Sequence, residues 1–135
     1  FNAKDFDVLV LPGGSGVAHN ICTYAIDGAG MSVNEDVVRA VISMHEAKKP
    51  IGALCIAPVI IAKLIPGARI TFGEDEKANV AFLKAGAHPV NAQAKDIVVD
   101  VNNKVVTTPC YMLNARISEI AVGIDALIQK LITLV

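Results

Sequence analysis

The chain contains no tryptophan, two tyrosines and four phenylalanines, and it carries no excess of positive charge: 12 Lys and Arg face 13 Asp and Glu, for a net charge of −1. Without a basic footprint or aromatic platforms on which bases could stack, neither a nucleic acid nor an anionic membrane is an expected partner. There are three cysteines, Cys22, Cys55 and Cys110, an odd number with no C-x-x-C spacing. That excludes a disulfide framework and gives no metal site. Free thiols suit a reducing compartment, the cytoplasm or, in a eukaryote, the mitochondrion. The Gly-Lys-Ser/Thr of a P-loop and the G-x-G-x-x-G of a dinucleotide fold are both missing, so no cofactor is expected. A membrane span needs about 20 apolar residues in a row; the longest stretch, Ile51 to Ile65, is shorter and is broken by Pro58 and Lys63. An initiating Met is also absent. The chain opens almost directly into a strand, so sequence upstream of Phe1 is expected to be missing, and the lack of a targeting segment carries little weight.

What is present is apolar. Hydrophobic residues make up 53% of the 135, with a mean hydropathy of +0.52. This length suits one domain, residues 1–135. With no membrane span, the richness in apolar residues points to a parallel sheet covered on both faces, whose strands read as continuous apolar runs. Strands are expected at 7–11, 51–54 and 69–72, with a further short one from Val90. A hairpin is expected from 96–101 and 104–108 around a two-residue Asn102-Asn103 turn. Residues 17–33 read as a short helix and then a loop. Helices are expected from a Ser32…Glu35 capping box to about Lys48, from Pro58 to Ile65, over 75–85 and over 113–133. Strands alternating with helices make this an α/β fold with a mostly parallel sheet and right-handed crossovers.

The chemistry concentrates at Pro50-Ile-Gly-Ala-Leu-Cys-Ile-Ala-Pro58. An apolar strand ends at Cys55, and Pro58 suits the first turn of a helix, where a missing N–H costs nothing. Ala53 and Ala57 flank the cysteine at both two-residue offsets, as the crowded strand-to-helix turn of a nucleophile elbow requires. The alternative is that Cys55 is a small buried hydrophobe. Upstream, Pro12-Gly-Gly-Ser-Gly16 follows the first strand. It is either a tight turn or a loop whose bare backbone approaches a ligand. If the two strands are neighbours, the N–H groups of Gly14 and Ile56 can form an oxyanion hole beside Cys55, and the start of the helix favours a thiolate.

An acid/base partner is less evident. Gly13 and His19, at or just after the glycine loop, are candidates to line the site. So are Glu74, after strand 69–72, and Cys110, after Thr107-Thr-Pro109. Each has a plainer reading: Glu74 and Asp75 can complement a helix dipole, and Cys110 can fill core space. His45 reads as solvated, His88 as part of a turn and Cys22 as structural.

Val10-Leu-Pro-Gly-Gly14, Gly52-Ala-Leu-Cys-Ile-Ala-Pro58 and the order of elements resemble the ThiJ/PfpI superfamily, which has the class I glutamine amidotransferase-like fold. Lys49-Pro-Ile-Gly52, Asn103-Lys-Val-Val-Thr-Thr-Pro109 and Tyr111-Met112 resemble its ElbB-like subgroup, described as sigma cross-reacting or isoprenoid-biosynthesis proteins. The resemblance runs essentially end to end. It implies a three-layer α-β-α sandwich with a flavodoxin-like sheet, usually a homodimer, with Cys55 at the elbow and oxyanion donors at Gly14 and Ile56. It also implies a glutamate bonded to the cysteine, from a region that would precede Phe1 along with the first strands. Two departures narrow the function. Gly73 and Glu74 stand where some members have a histidine, and no His-x-Glu follows Cys55, which disfavours glutamine hydrolysis. His19 stands where the subgroup often has lysine. The expected activity is weak glyoxalase or deglycase action on a small aldehyde or dicarbonyl through a hemithioacetal. The alternative is a non-enzymatic redox or regulatory role linked to isoprenoid metabolism.

Overall fold

A computed structural model describes all residues from Phe1 to Val135. Its centre is a four-stranded sheet of β1 (Leu9–Leu11), β2 (Ile51–Leu54), β6 (Val105–Thr108) and β5 (Val98–Asp100), in that spatial order. The first three are parallel, and β5 closes the far edge antiparallel to β6. Every residue of β2 and β6 is buried, whereas β1, at the other edge, is half-buried. This explains the unbroken apolar run at Ile51 to Leu54: a strand covered on both faces has no polar side.

Alternate residues of the central strands enter two different layers. Ile51, Ala53 and Val105 join the larger core beneath α2 (Glu35–Glu46) and α3 (Pro58–Leu64). Leu54 and Val106 face α5 (Ile117–Thr133), packing with Leu127 and Leu131. Helices on both faces of the sheet make the expected α-β-α sandwich. The long α5 follows from Ile120, Leu127 and Leu131 recurring on one face.

A second sheet, β3 (Arg69–Ile70) beside β4 (His88–Pro89), is parallel and two-stranded, with α4 (Glu76–Lys84) between its strands. It does not extend the main sheet. Hydrogen bonds tie it there instead: Thr71 N–H to Thr107 Oγ1 (3.1 Å), Arg69 N–H to the Asp100 carboxylate (2.9 Å) and the Arg69 guanidinium to the Val99 carbonyl (3.5 Å).

Several boundaries differ from expectation for local reasons. Asn34, not Ser32, caps α2, its side chain accepting from the N–H groups of Asp36 and Val37. Ser32 instead meets Thr23, whose hydroxyl accepts the Ser32 N–H at 2.9 Å. The hairpin connection spans Val101 to Lys104, because Asp100 pairs with Val105. Asp100 rather than an Asn-Asn pair organises it, accepting from both the backbone and the side chain of Asn103. The short strand near Val90 ends at Pro89. Residues 17–33 hold a wide π turn over Val17–Ile21, the short α1 (Tyr24–Asp27) and a 3-10 turn over Gly28–Gly30. Helix α5 begins four residues later than expected, since Cys110–Met112 is a separate 3-10 turn.

Candidate active site

The parallel strands β1 and β2 are hydrogen-bonded neighbours, with Leu11 opposite Ala53. Their carboxyl ends therefore deliver Pro12-Gly-Gly14 and Cys55 to the same edge of the sheet. The loop and the elbow are in contact there. A methyl group built on Gly13 would lie 2.6 Å from the Leu54 carbonyl oxygen and 3.0 Å from Cys55 Cβ. Gly13 and Gly14 have φ of +87° and +96°, conformations that residues with a side chain rarely adopt. Only a glycine loop brings its backbone this close to the cysteine.

Cys55 itself has φ of +60°. A non-glycine residue held in the left-handed region costs about 1–3 kcal/mol and persists only where its surroundings enforce it. Here the constraint is visible on both sides. Cys55 N–H donates to the Thr108 carbonyl (3.0 Å), and Ala57 N–H returns to the Leu54 carbonyl (3.0 Å), closing the turn into α3. Ala53 and Ala57 are fully buried, so the small residues at these offsets answer a packing requirement. Pro58 opens α3 at its first position. Cys55 is half-buried, and no side chain hydrogen-bonds its sulfur. The N–H groups of Gly14 and Ile56 also make no hydrogen bond within the chain, which leaves both free as donors beside the elbow.

Other candidates are placed differently. Cys110 is buried and packs in the same apolar cluster as Cys55. Its φ of +48° makes it a second strained cysteine at a neighbouring strand end. Burial first and the Cys55 sulfur second push its thiol up to about 11, with the Cys55 N–H partly offsetting both. His19 is exposed in the π turn, with Nδ1 against the Ser15 carbonyl oxygen at 2.8 Å. Glu74 is exposed and accepts from the Gln93 side-chain amide, so it leans toward the 90s loop, and Asp75 caps α4 by accepting from Ala78 N–H. Neither His19 nor Glu74 bonds the cysteine. Cys22 is buried with its thiol on the Val17 carbonyl. His88 is exposed on β4, and the buried Nδ1 of His45 has no partner. No cluster of metal-ligating side chains occurs, and no helix is long and apolar enough to cross a membrane.

The surface cavities lie elsewhere. The largest, about 600 Å³, is lined by Arg69 and residues of the 90–99 segment, and none of the four includes Cys55. The elbow remains the better candidate, because strained backbone, free donors and a nucleophile coincide there and in no cavity. What the sequence left undecided was the pairing of Cys55 with Cys110. The sequence signal was only that Cys110 follows the end of a strand and can look into the same cleft; the neighbouring of that strand and the elbow comes from the β2–β6 register.

Residues 1–112 match a family model described as the DJ-1/PfpI family. The chain is 41% identical over 142 aligned positions to "ES1 protein homolog, mitochondrial" of Rattus norvegicus, covering 98% of this chain and 53% of the relative. It is 38% identical to "Glutamine amidotransferase-like class 1 domain-containing protein 3, mitochondrial" of Homo sapiens, with the same coverage. The chain thus spans about half the length of the curated relatives it matches. Among solved structures, an isoprenoid biosynthesis protein with amidotransferase-like domain from Ehrlichia chaffeensis superposes with a TM-score of 0.87 at 33% identity. That match covers 99% of this chain and 62% of the other.

Proposed function

This chain belongs to the DJ-1/PfpI family, and from that premise we propose that Cys55 is a nucleophile acting on small reactive aldehydes or dicarbonyls. The observation that carries the reading is the strained φ of Cys55 at the mouth of a parallel sheet, against a glycine loop with free N–H groups. The thiolate adds to an aldehyde carbon, and the carbonyl electron pair moves onto oxygen. The N–H groups of Gly14 and Ile56 are the donors for that oxyanion, a contribution typically worth about 3 kcal/mol per donor in the transition state. With an α-dicarbonyl such as glyoxal, the hemithioacetal loses a proton from the carbon bearing sulfur, the electron pair passes through an enediolate onto the adjacent carbonyl, and that carbon regains a proton, so the thioester forms as the neighbouring carbonyl becomes a hydroxyl. Water then releases a hydroxy acid and regenerates the thiol. The family resemblance supplies a glutamate for the proton transfers; no carboxylate of residues 1–135 bonds the sulfur.

Glutamine hydrolysis is not proposed, since no His-x-Glu follows Cys55. A mitochondrial location is proposed from the names of the two relatives. The test is conversion of glyoxal to glycolate by the full-length protein. Cys55→Ala is expected to reduce turnover to background, and equal rates before and after the substitution would refute the reading. A second reading, thiol-based redox regulation, is favoured by one specific observation, the presence of Cys110 in the apolar cluster against which Cys55 packs.

A further inference from the structure

Two of the three cysteines occupy adjacent strand ends. In the parallel β2–β6 pair, Leu54 lies opposite Thr108, so the chain reaches Cys55 one residue beyond β2 and Cys110 two residues beyond β6. The Cys55 N–H bond to the Thr108 carbonyl, 3.0 Å, pins the two exits together. Both cysteines then turn into the left-handed region, at φ of +60° and +48°. Both pack in the small cluster under α5 with Leu54, Val106 and Ile120. The β2–β6 register and the Cys55 N–H bond to Thr108 place the two residues at adjoining strand exits, within one apolar cluster.

The two thiols are unequal. Cys55 is half-buried, whereas Cys110 is 5% exposed. An oxidant in solution therefore reaches Cys55 first, and Cys110 stays a protonated, shielded thiol behind it. Cys22, the third cysteine, lies in the other core, on the opposite face of the sheet, with its thiol on the Val17 carbonyl.

We propose that Cys55 and Cys110 form a peroxide-driven dithiol–disulfide couple, with Cys55 the oxidised thiol and Cys110 the resolving one. This rests on Cys55 being the reactive thiol of the site. The oxidant is a hydroperoxide. The Cys55 sulfur attacks one peroxide oxygen, the O–O bond breaks, and the departing alkoxide or hydroxide takes a proton to leave as alcohol or water. Cys55 is then a sulfenic acid and the peroxide has been reduced. Next the Cys110 sulfur attacks the Cys55 sulfur. The S–OH bond breaks, and hydroxide leaves with the Cys110 proton as water. One S–S bond forms, and the couple returns to two thiols on exchange with an external thiol. Formation of the bond holds the elbow cysteine in a form that cannot add to a carbonyl, and it diverts Cys55 from irreversible over-oxidation.

The experiment treats reduced full-chain protein with equimolar hydrogen peroxide, with and without dimedone, and maps tryptic peptides without reduction. Wild type is expected to yield peptide 49–63 joined to peptide 105–116, two hydrogens lighter than their sum, with Cys22 free. Cys110→Ser and Cys110→Ala are expected to abolish the link and to accumulate dimedone-labelled or sulfinic Cys55. The wild-type map decides the matter even if a variant folds poorly. Labelling of Cys55 by dimedone without a linked peptide overturns the couple and leaves the reactivity of Cys55 standing. Failure of both peroxide and iodoacetamide to modify Cys55 ahead of Cys22 overturns the couple together with the reactive-thiol reading beneath it.

Discussion

At the scale of single residues, the site is built from backbone conformations more than from side-chain partners. Cys55 has no side-chain hydrogen bond to its sulfur, yet its φ of +60° is held by hydrogen bonds and by packing against Gly13. Gly13 is therefore predicted to be the least replaceable residue of the loop. Gly13→Ala places a methyl 2.6 Å from the Leu54 carbonyl oxygen, a backbone atom that cannot rotate away, in a conformation already unfavourable to a side chain. A loss of about 2–4 kcal/mol is expected in a urea titration, combining positive-φ strain and overpacking. Glyoxal turnover should fall further than stability alone explains, because the displaced loop carries the Gly14 donor away from the elbow. Gly14→Ala is the contrast: no atom lies within 4 Å of its added methyl, so only the φ strain remains. Near-equal stabilities for Gly13→Ala and wild type would show that the loop does not press on the elbow.

At the scale of elements, the decisive approach is that of α5 to the sheet. Gly123 lies mid-helix, where alanine normally stabilises by about 1 kcal/mol. Here an added methyl would come within 2.2 Å of the Ala94 carbonyl and 2.8 Å of Thr108 Oγ1. The clash is with backbone and with a hydroxyl already donating to the Asp96 carbonyl at 2.7 Å. Gly123→Ala is thus predicted to destabilise by about 1–3 kcal/mol, opposite in sign to its propensity. A raised melting temperature would refute this. Helices and central strands were legible in sequence wherever burial is two-sided or periodic, as in Ile51 to Leu54 and in the expected α5 stripe of Ile117, Ile120, Ile124, Leu127 and Leu131, of which only Ile117, at the helix start, is exposed. The misplaced boundaries arise where a side chain competes for backbone groups: Asn34 takes the cap from Ser32, and Asp100 converts a two-residue turn into a four-residue one. The elbow was legible because its small flanking residues answer a local steric demand. The approach of Cys110 was not, because it depends on the β2–β6 register, between segments far apart in the chain.

At the scale of the molecule, charge contributes little to holding the parts together. The single ion pair, Arg39 with Asp36, is exposed on one helix, a type worth at most about 1 kcal/mol. Apolar burial on both faces of the main sheet holds that layer, but the small β3–β4 sheet also depends on a buried carboxylate. Asp100 is 7% exposed. Burial alone would raise its pKa, yet hydrogen bonds from the Arg69 N–H, the Asn103 side chain and the Asn103 and Asn102 N–H groups hold it below the ordinary carboxylate value. A depressed folded-state pKa means that the stabilisation is fully present above the unfolded value near 3.8. It is lost as pH falls through the lower folded value. Acid should therefore loosen the docking of β3 before it disturbs the apolar layers. Asp100→Asn removes the charge and one acceptor, leaving N–H donors at Arg69 and Asn103 in competition for one oxygen. Its expected cost at neutral pH is about 1–3 kcal/mol. Urea midpoints measured from about pH 6 down to about pH 2 should converge for the two proteins as Asp100 of the wild type is protonated. Parallel curves throughout would show that another carboxylate governs the acid limb.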